Sequence, residues 1–458
     1  MDSFQEVTPE LIQELHKSYK EEPKYEVARN SAVKQGLLDS MIDHDKLKGR
    51  VHVYNCGVME EGKPVTNQRS SGRCWLFAFL NAVRIPFIKK FDLFDFEFSQ
   101  AYLFFWDKIE RTNYLLEVFI QTRREPLEER LMGFLLTEPY NDGGQWDMIV
   151  NLVKKYGLVP KVYYPETHSS EASRNLNKII SNKLREYCCR LRGMTEATDE
   201  ELRKEKLSML KETYRICVIA LGVPPTTFDW EYKSKQGHYY KYYPNLTPKS
   251  FYEDYVKQVF DVESKICLIN DPRPAHDFHR LYTVQYLGNM KEGYPVRYVN
   301  LSSDDLKKYA IASLRDKEPV WFGCDVGAHL QRKSGLNDLE VYDTMLHLGV
   351  SILGMTKAQR LQYGESLMTH AMLITAVQLK DQSASQVGTV PVRWRVENSW
   401  GTDCGQYGYL MATDDWFTEY VYEIVVDKKY VPQEIVDVLK QEAVVLPPWD
   451  PMGALASN

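Results

Sequence analysis

Apolar positions along this chain follow a helical spacing in its first part and strand-like runs in its second. From Ser71 a helical pattern passes through Trp75, Phe77, Phe79 and Leu80, and Pro86 is expected to kink or stop it. Ser99 stands where a helix cap belongs, ahead of a helix predicted over 100–121. Asp142-Gly-Gly-Gln-Trp-Asp147 opens another helix, which ends at Gly157 with Pro160 just beyond. Between 170 and 260 polar positions dominate. Lys, Arg and Glu crowd helices predicted over 171–192 and 200–220, ahead of the breaker Gly222-Val-Pro-Pro225. Strand patterns follow at 265–269, 282–286, 296–299, 320–325, 372–379, 392–396, 408–411 and 420–426, with one helix near 304–315. An isolated strand-like run occurs earlier, at 50–54.

A helical half followed by a β-rich half is an α+β arrangement, and a cleft is expected where the two meet. The predicted organisation is an N-terminal segment (1–65), a helical lobe (66–169), an inserted charged helical module (170–264), a β-rich lobe (265–446) and a C-terminal tail (447–458). A chain of 458 residues exceeds one ordinary compact core, which agrees with two or three domains.

Composition narrows the function classes. A hydrophobic content of 44% belongs to a globular chain, and a net charge of −6 gives nucleic acid or an anionic membrane little to hold. No apolar run approaches the roughly 18 to 20 residues a spanning helix needs, and the acidic N-terminus does not read as a secretory signal. Eight cysteines are too sparse for a disulfide scaffold, so a cytoplasmic protein with reduced thiols is expected. Cys-x-x-Cys, His-Glu-x-x-His and Gly-x-Ser-x-Gly patterns do not occur, so neither a metal nor a cofactor is called for.

One cysteine stands apart. Cys74 follows the polar turn Ser70-Ser71-Gly72 and starts an apolar run rather than sitting inside it. That places it in the first turn of a helix, where free amides and the helix dipole stabilise a thiolate. Gln68, six residues upstream, can aim an amide N–H at an oxyanion. A thiolate needs a base, and among ten histidines His370 is singled out because it precedes the apolar strand Ala371-Met-Leu-Ile-Thr-Ala376. In Glu397-Asn398-Ser399-Trp400-Gly401, Asn398 can fix the imidazole tautomer and Trp400 can shield that bond from water.

These blocks, in the order Cys, His, Asn, resemble the landmarks of papain-like cysteine peptidases. Two departures, Arg73 before the cysteine and a Cys74–His370 separation of 296 residues, point to one branch. Glu97-Phe-Ser-Gln-Ala-Tyr-Leu-Phe-Phe-Trp-Asp107, Asn141-Asp-Gly-Gly-Gln-Trp-Asp147, Leu268-Ile-Asn-Asp-Pro-Arg273 and Trp449-Asp-Pro-Met-Gly-Ala454 are similar to the bleomycin hydrolase family. That family includes bacterial aminopeptidase C.

The resemblance implies a two-lobed papain-like fold and a cysteine aminopeptidase acting on peptides with free N-termini and on small amides. It extends to the amide of bleomycin and to homocysteine thiolactone. It also implies a homohexamer with its sites facing an internal channel, the charged 170–264 module supplying subunit contacts. The C-terminal tail would lie in the cleft, with a terminal carboxylate, at Asn458 or an earlier residue, meeting the substrate's ammonium. Catalytic roles fall on Cys74, His370 and Asn398, the oxyanion role on Gln68 and shielding on Trp400. Gly143 and Gly144 would admit the substrate backbone, with Asp147 near that wall. Two other classes remain open on the residues alone. A thiol acyltransferase would use the same thiol and histidine, whereas a non-catalytic nucleic-acid-binding scaffold would need neither.

Overall fold

The computed structural model describes residues 6–380 and 390–454. Two helices, Pro9–Lys20 and Pro23–Gln35, open it without burying a residue. The run at 50–54 forms no strand; the pairing segment is β1 (Cys56–Gly57), two residues further on, laid antiparallel against β10 (His370–Leu379).

The nucleophile helix spans Cys74–Phe91 and is buried over most of its length. It starts three residues later than the expected Ser71, because Ser71 is used elsewhere. The Ser71 hydroxyl donates to the carbonyl of Gln68 (2.7 Å) and accepts from Nε of Arg73 (2.9 Å). Pro86 lies within the helix and does not stop it. The Gln100–Gln121 helix is capped by Ser99, whose hydroxyl accepts from the Tyr102 amide at 3.1 Å. The Trp146–Tyr156 helix ends at Gly157 with φ +72°, a left-handed conformation that glycine adopts without strain.

The charged stretch contains helices Arg174–Gly193 and Asp199–Leu221 and then a hairpin, β2 (Phe228–Lys233) with β3 (Tyr240–Leu246), where further helix was expected. Phe228, Trp230 and Tyr232 alternate with Asp229, Glu231 and Lys233, which is strand periodicity. Leu176, Ile180, Leu184, Leu202, Met209 and Trp230 share the apolar core of the nucleophile helix. The stretch therefore packs with the helical lobe on one side and carries its charge on the other.

The β-rich half is a sheet of twelve strands in the order β14-β5-β6-β4-β13-β7-β10-β11-β12-β9-β8, with β1 beside β10. Its strands are β4 (Lys265–Ile269), β5 (Arg280–Val284), β6 (Tyr298–Asn300), β7 (Val320–Cys324), β8 (Leu330–Gln331), β9 (Leu336–Asn337), β10, β11 (Pro391–Glu397), β12 (Tyr409–Thr413), β13 (Val421–Asp427) and β14 (Val444–Leu446). Alternation splits their side chains between two cores. Trp321, Ala371, Leu373 and Val425 face the nucleophile helix. Phe322, Met372, Ile374 and Ile424 face the opposite core, with the Ser303–Arg315 helix. The site lies where the helix start meets the leading end of β10.

Candidate active site

Antiparallel pairing of β10 and β11 sets Leu373 opposite Glu397. Continued by three residues, that register carries His370 toward Asn398 and Trp400. Nε2 of His370 lies 2.9 Å from Oδ1 of Asn398, and the rings of His370 and Trp400 are 5.0 Å apart and tilted by 35°. The amide of Ala371, the next residue on the strand, donates to Cys74 Sγ at 3.4 Å. The first turn of the helix and the start of β10 are thereby joined across 296 residues of chain.

Gln68 is buried in the same place. Its Nε2 donates to the carbonyl of Ser71 (2.6 Å) and its Oε1 accepts from the hydroxyl of Ser399 (2.6 Å). An amide nitrogen has two N–H donors, so this anchoring fixes the group and leaves one donor for a reacting oxygen.

Burial pushes the Cys74 thiol up to about 12, against the pull of the amides of Ala371, Trp75 and Cys74 itself. It also pushes the His370 imidazole down to about 4, although the bond to Asn398 favours the charged ring. For the thiol taken alone, desolvation outweighs the amides that favour a thiolate. The chemistry must therefore run through the pair. Moving the proton from sulfur to ring nitrogen creates opposite charges together, and each offsets the other's desolvation.

Two supporting residues, Asp142 and Arg73, were not legible in advance as part of the site. Asp142 accepts from Nζ of Lys108 (2.7 Å), Nδ2 of Asn177 (2.7 Å), the amide of Gly72 (3.2 Å) and the hydroxyl of Ser173. Its carbonyl also accepts from the indole of Trp75 at 2.7 Å, so one residue holds the turn before Cys74 and the side chain after it. Burial would raise the Asp142 carboxyl, but Lys108 and these bonds hold it at about 2. Arg73 is fully buried, paired with Glu166 at 2.8 Å and set over the rings of Phe77 and Phe104. The one available signal was that Arg73 and Asp142 both fall in blocks already marked by the family resemblance.

The other residues assigned to the cleft have contacts of their own. A Cβ on Gly144 would come within 2.6 Å of the Trp75 ring, so packing of the helix start requires that glycine. Gly143 is tied by its N–H to Asn141 (3.1 Å) and by its carbonyl to Arg111 (2.7 Å). Asp147 accepts from the Arg297 amide at 2.9 Å and lines a cavity of about 140 Å³ with Trp146, Cys267 and Tyr294. Burial pushes its carboxyl up to about 6. Asn458 lies outside the described residues. Among the described residues no cluster of His, Cys, Asp or Glu could hold a metal, and no helix is long and apolar enough to cross a membrane.

A model of the Peptidase C1-like family matches residues 6–453. Bleomycin hydrolase of Mus musculus is 53% identical over 450 residues, covering 97% of this chain and 97% of that protein. Bleomycin hydrolase of Homo sapiens is 51% identical with the same coverage. Aminopeptidase C of Lactococcus lactis subsp. cremoris is 41% identical, covering 98% of this chain and all of its own. The crystal structure of PepW from Lactobacillus rhamnosis HN001 superposes with a TM-score of 0.94 at 40% identity, covering 99% of this chain and 100% of that one.

Proposed function

This chain belongs to the Peptidase C1-like family and is a cysteine peptidase, and we propose that it trims peptides from their free N-termini and opens the amide of bleomycin. The observation that carries the reading is the His370–Asn398 pair at 2.9 Å beside a cysteine sulfur that the next strand amide touches.

The chemistry follows from these positions. Cys74 Sγ gives its proton to His370 and attacks the carbonyl carbon of the substrate's first peptide bond. The oxyanion takes hydrogen bonds from the Cys74 amide and from Nε2 of Gln68. The intermediate collapses as His370 protonates the departing amine, which leaves a thioester on Cys74. His370 then takes a proton from water, the resulting hydroxide attacks the thioester, and the acid departs as sulfur regains its proton. Asn398 keeps the ring aimed throughout, and Trp400 limits water at that bond.

Preference for N-terminal residues is assigned to the C-terminal tail. Ala454, the last described residue, accepts at its carbonyl from Nε2 of Gln145 (3.2 Å), and the neighbouring Gly144 lies against Trp75. The tail thus arrives beside the nucleophile turn. A carboxylate at its end, on Asn458 or on an earlier residue after trimming, would meet the substrate ammonium. Activity on homocysteine thiolactone, an assembly of six subunits and a cytoplasmic location belong to the same reading. Ile179, Leu207, Ile219 and Val223 expose apolar side chains on the charged stretch, which suits subunit contacts.

The test is mass spectrometry of a peptide library digested by the full chain, by Cys74→Ala and by a chain ending at Ala454. Cys74→Ala should make no product. Truncation should replace N-terminal trimming by internal cuts, and unchanged products would remove the tail from the reading.

A further inference from the structure

Two sequence blocks marked by the family resemblance, Leu268–Arg273 and Trp449–Ala454, supply none of the reacting groups above, yet the fold brings them together. Nε and Nη2 of Arg273 donate to the two carboxylate oxygens of Asp271 at 2.9 and 2.7 Å. Nη2 and Nη1 of the same guanidinium donate to the two oxygens of Asp450 at 2.7 and 3.1 Å. Asp271 is tied to the end of β6: its amide donates to Asn300 Oδ1 (2.9 Å), its carbonyl accepts from Asn300 Nδ2 (3.0 Å), and His276 Nδ1 meets its carboxylate at 2.5 Å.

Beyond Asp450 each step of the tail is tied. Asp450 Oδ1 accepts from the Met452 amide at 2.9 Å and so starts the 3-10 turn Pro451–Gly453. The Met452 side chain is buried, and its carbonyl accepts from the hydroxyl of Tyr298 at 3.2 Å. Ala454 then reaches Gln145.

We propose that Arg273 is a positioning residue for substrate selection, its double carboxylate grip on Asp271 and Asp450 aiming the chain end at the ammonium of incoming peptides. This inference rests on the tail's role in the proposed function. Loss of the clamp lengthens the chain that is held only by the weaker contacts of Met452 and Ala454, which lowers the effective concentration of the tail at the site. Arg273 touches no reacting atom.

The experiment compares an aminoacyl fluorogenic substrate bearing a free amine with its N-acetylated counterpart on the full chain, on Arg273→Gln, on Tyr298→Phe and on the chain ending at Ala454. In Arg273→Gln, kcat/KM on the free amine should fall severalfold through KM, and hydrolysis of the acetylated substrate should rise. Tyr298→Phe should shift both in the same directions, by less. In the Ala454-terminated background, Arg273→Gln should change neither substrate further, because no chain end remains to aim. Equal losses on both substrates in that background would assign Arg273 to general stability and overturn the proposal. So would wild-type selectivity in a folded Arg273→Gln and in Tyr298→Phe while truncation abolishes it. Truncation that leaves selectivity intact would instead overturn the tail's role and the clamp with it.

Discussion

Oδ1 of Asn398 is held from two sides, 2.9 Å from Nε2 of His370 and 2.8 Å from the amide of Ser399. Two donors on one oxygen decide which way the Asn398 amide faces. Nε2 of His370 must then carry its proton, which leaves Nδ1 as the basic nitrogen. Asn398→Ala removes that decision and lets the ring turn. It should lower kcat on the order of tenfold to a hundredfold with KM little changed. Steady-state kinetics on an aminoacyl substrate check this, and an unchanged kcat would take Asn398 out of the orienting role.

Gln68 is fixed at both ends of its amide, by Ser399 and Ser71. Gln68→Leu should cost about a hundredfold in kcat by removing one oxyanion donor. It should also destabilise the fold by about 1–3 kcal/mol, since Ser399 and Ser71 lose buried partners. Gln68→Glu keeps the acceptor for Ser399 but supplies no N–H. Its kcat should fall as far as that of the leucine variant, and near-normal kcat would reassign the oxyanion donor.

The Cys74 thiol, pushed up to about 12 by burial, should be inert alone and reactive only beside His370. One equivalent of iodoacetamide should therefore alkylate the native protein between pH 5.5 and 7. The His370→Ala variant should react about a hundredfold more slowly or worse, because a thiolate in that site then lacks its counter-charge. The sign for activity follows from the same values. The working form holds one proton shared by the pair. It is lost on the acid side as His370, held down toward 4, gains a second proton, and on the alkaline side as the shared proton leaves. The profile of kcat/KM should be flat across neutrality. Equal alkylation rates in the two proteins would defeat the shared-proton account.

Local signals were legible and long-range ones were not. Ser99 and Gly157 act through their own backbone neighbourhoods, so the helices they bound were readable from the chain. Ser71 also carries cap chemistry, but the fold spends its hydroxyl on Gln68 and Arg73 and the helix starts at Cys74 instead. The β2–β3 hairpin was hidden by the charge density around it, although Phe228, Trp230 and Tyr232 alternate. His370 and Asn398 could be matched because each lies at the end of a strand. The sulfur's desolvation could not, since it depends on side chains brought in from both halves of the chain.

Asp142 links the turn before Cys74 to Lys108, and both side chains are buried. Its folded carboxyl lies near 2, below the ordinary 3.8, so it stabilises the fold above that ordinary value. The stabilisation, about 2 kcal/mol, is lost as pH falls through the interval toward 2. Asp142→Ala should destabilise by about 3–5 kcal/mol, because Lys108 loses its carboxylate partner in the core, where burial already disfavours its charge. Denaturant melts at pH 7 would show this. The double variant Asp142→Ala with Lys108→Met should recover much of the loss, and an equal or larger loss there would deny the coupling.

Glu423 is a carboxyl in the wrong solvent. It lies on β13 opposite Ile269 and Gly323, and is 1% exposed. Burial pushes it up to about 8 against the pull of the Cys267 thiol, with the Asp147 charge adding to the rise. A raised acid has the opposite linkage sign to Asp142. Below the ordinary 4.5 the group is neutral in folded and unfolded chains alike and has no effect on pH dependence. As pH climbs from there toward 8 the unfolded chain ionises while the folded one keeps its proton, so stability falls. Glu423→Gln cannot ionise and escapes that loss. Its Tm should match the native protein near pH 5 and exceed it by a few degrees at pH 8 to 9, with no further gain beyond. A scan of Tm against pH in both proteins tests the point, and parallel curves would mean that Glu423 ionises as readily in the fold as in water.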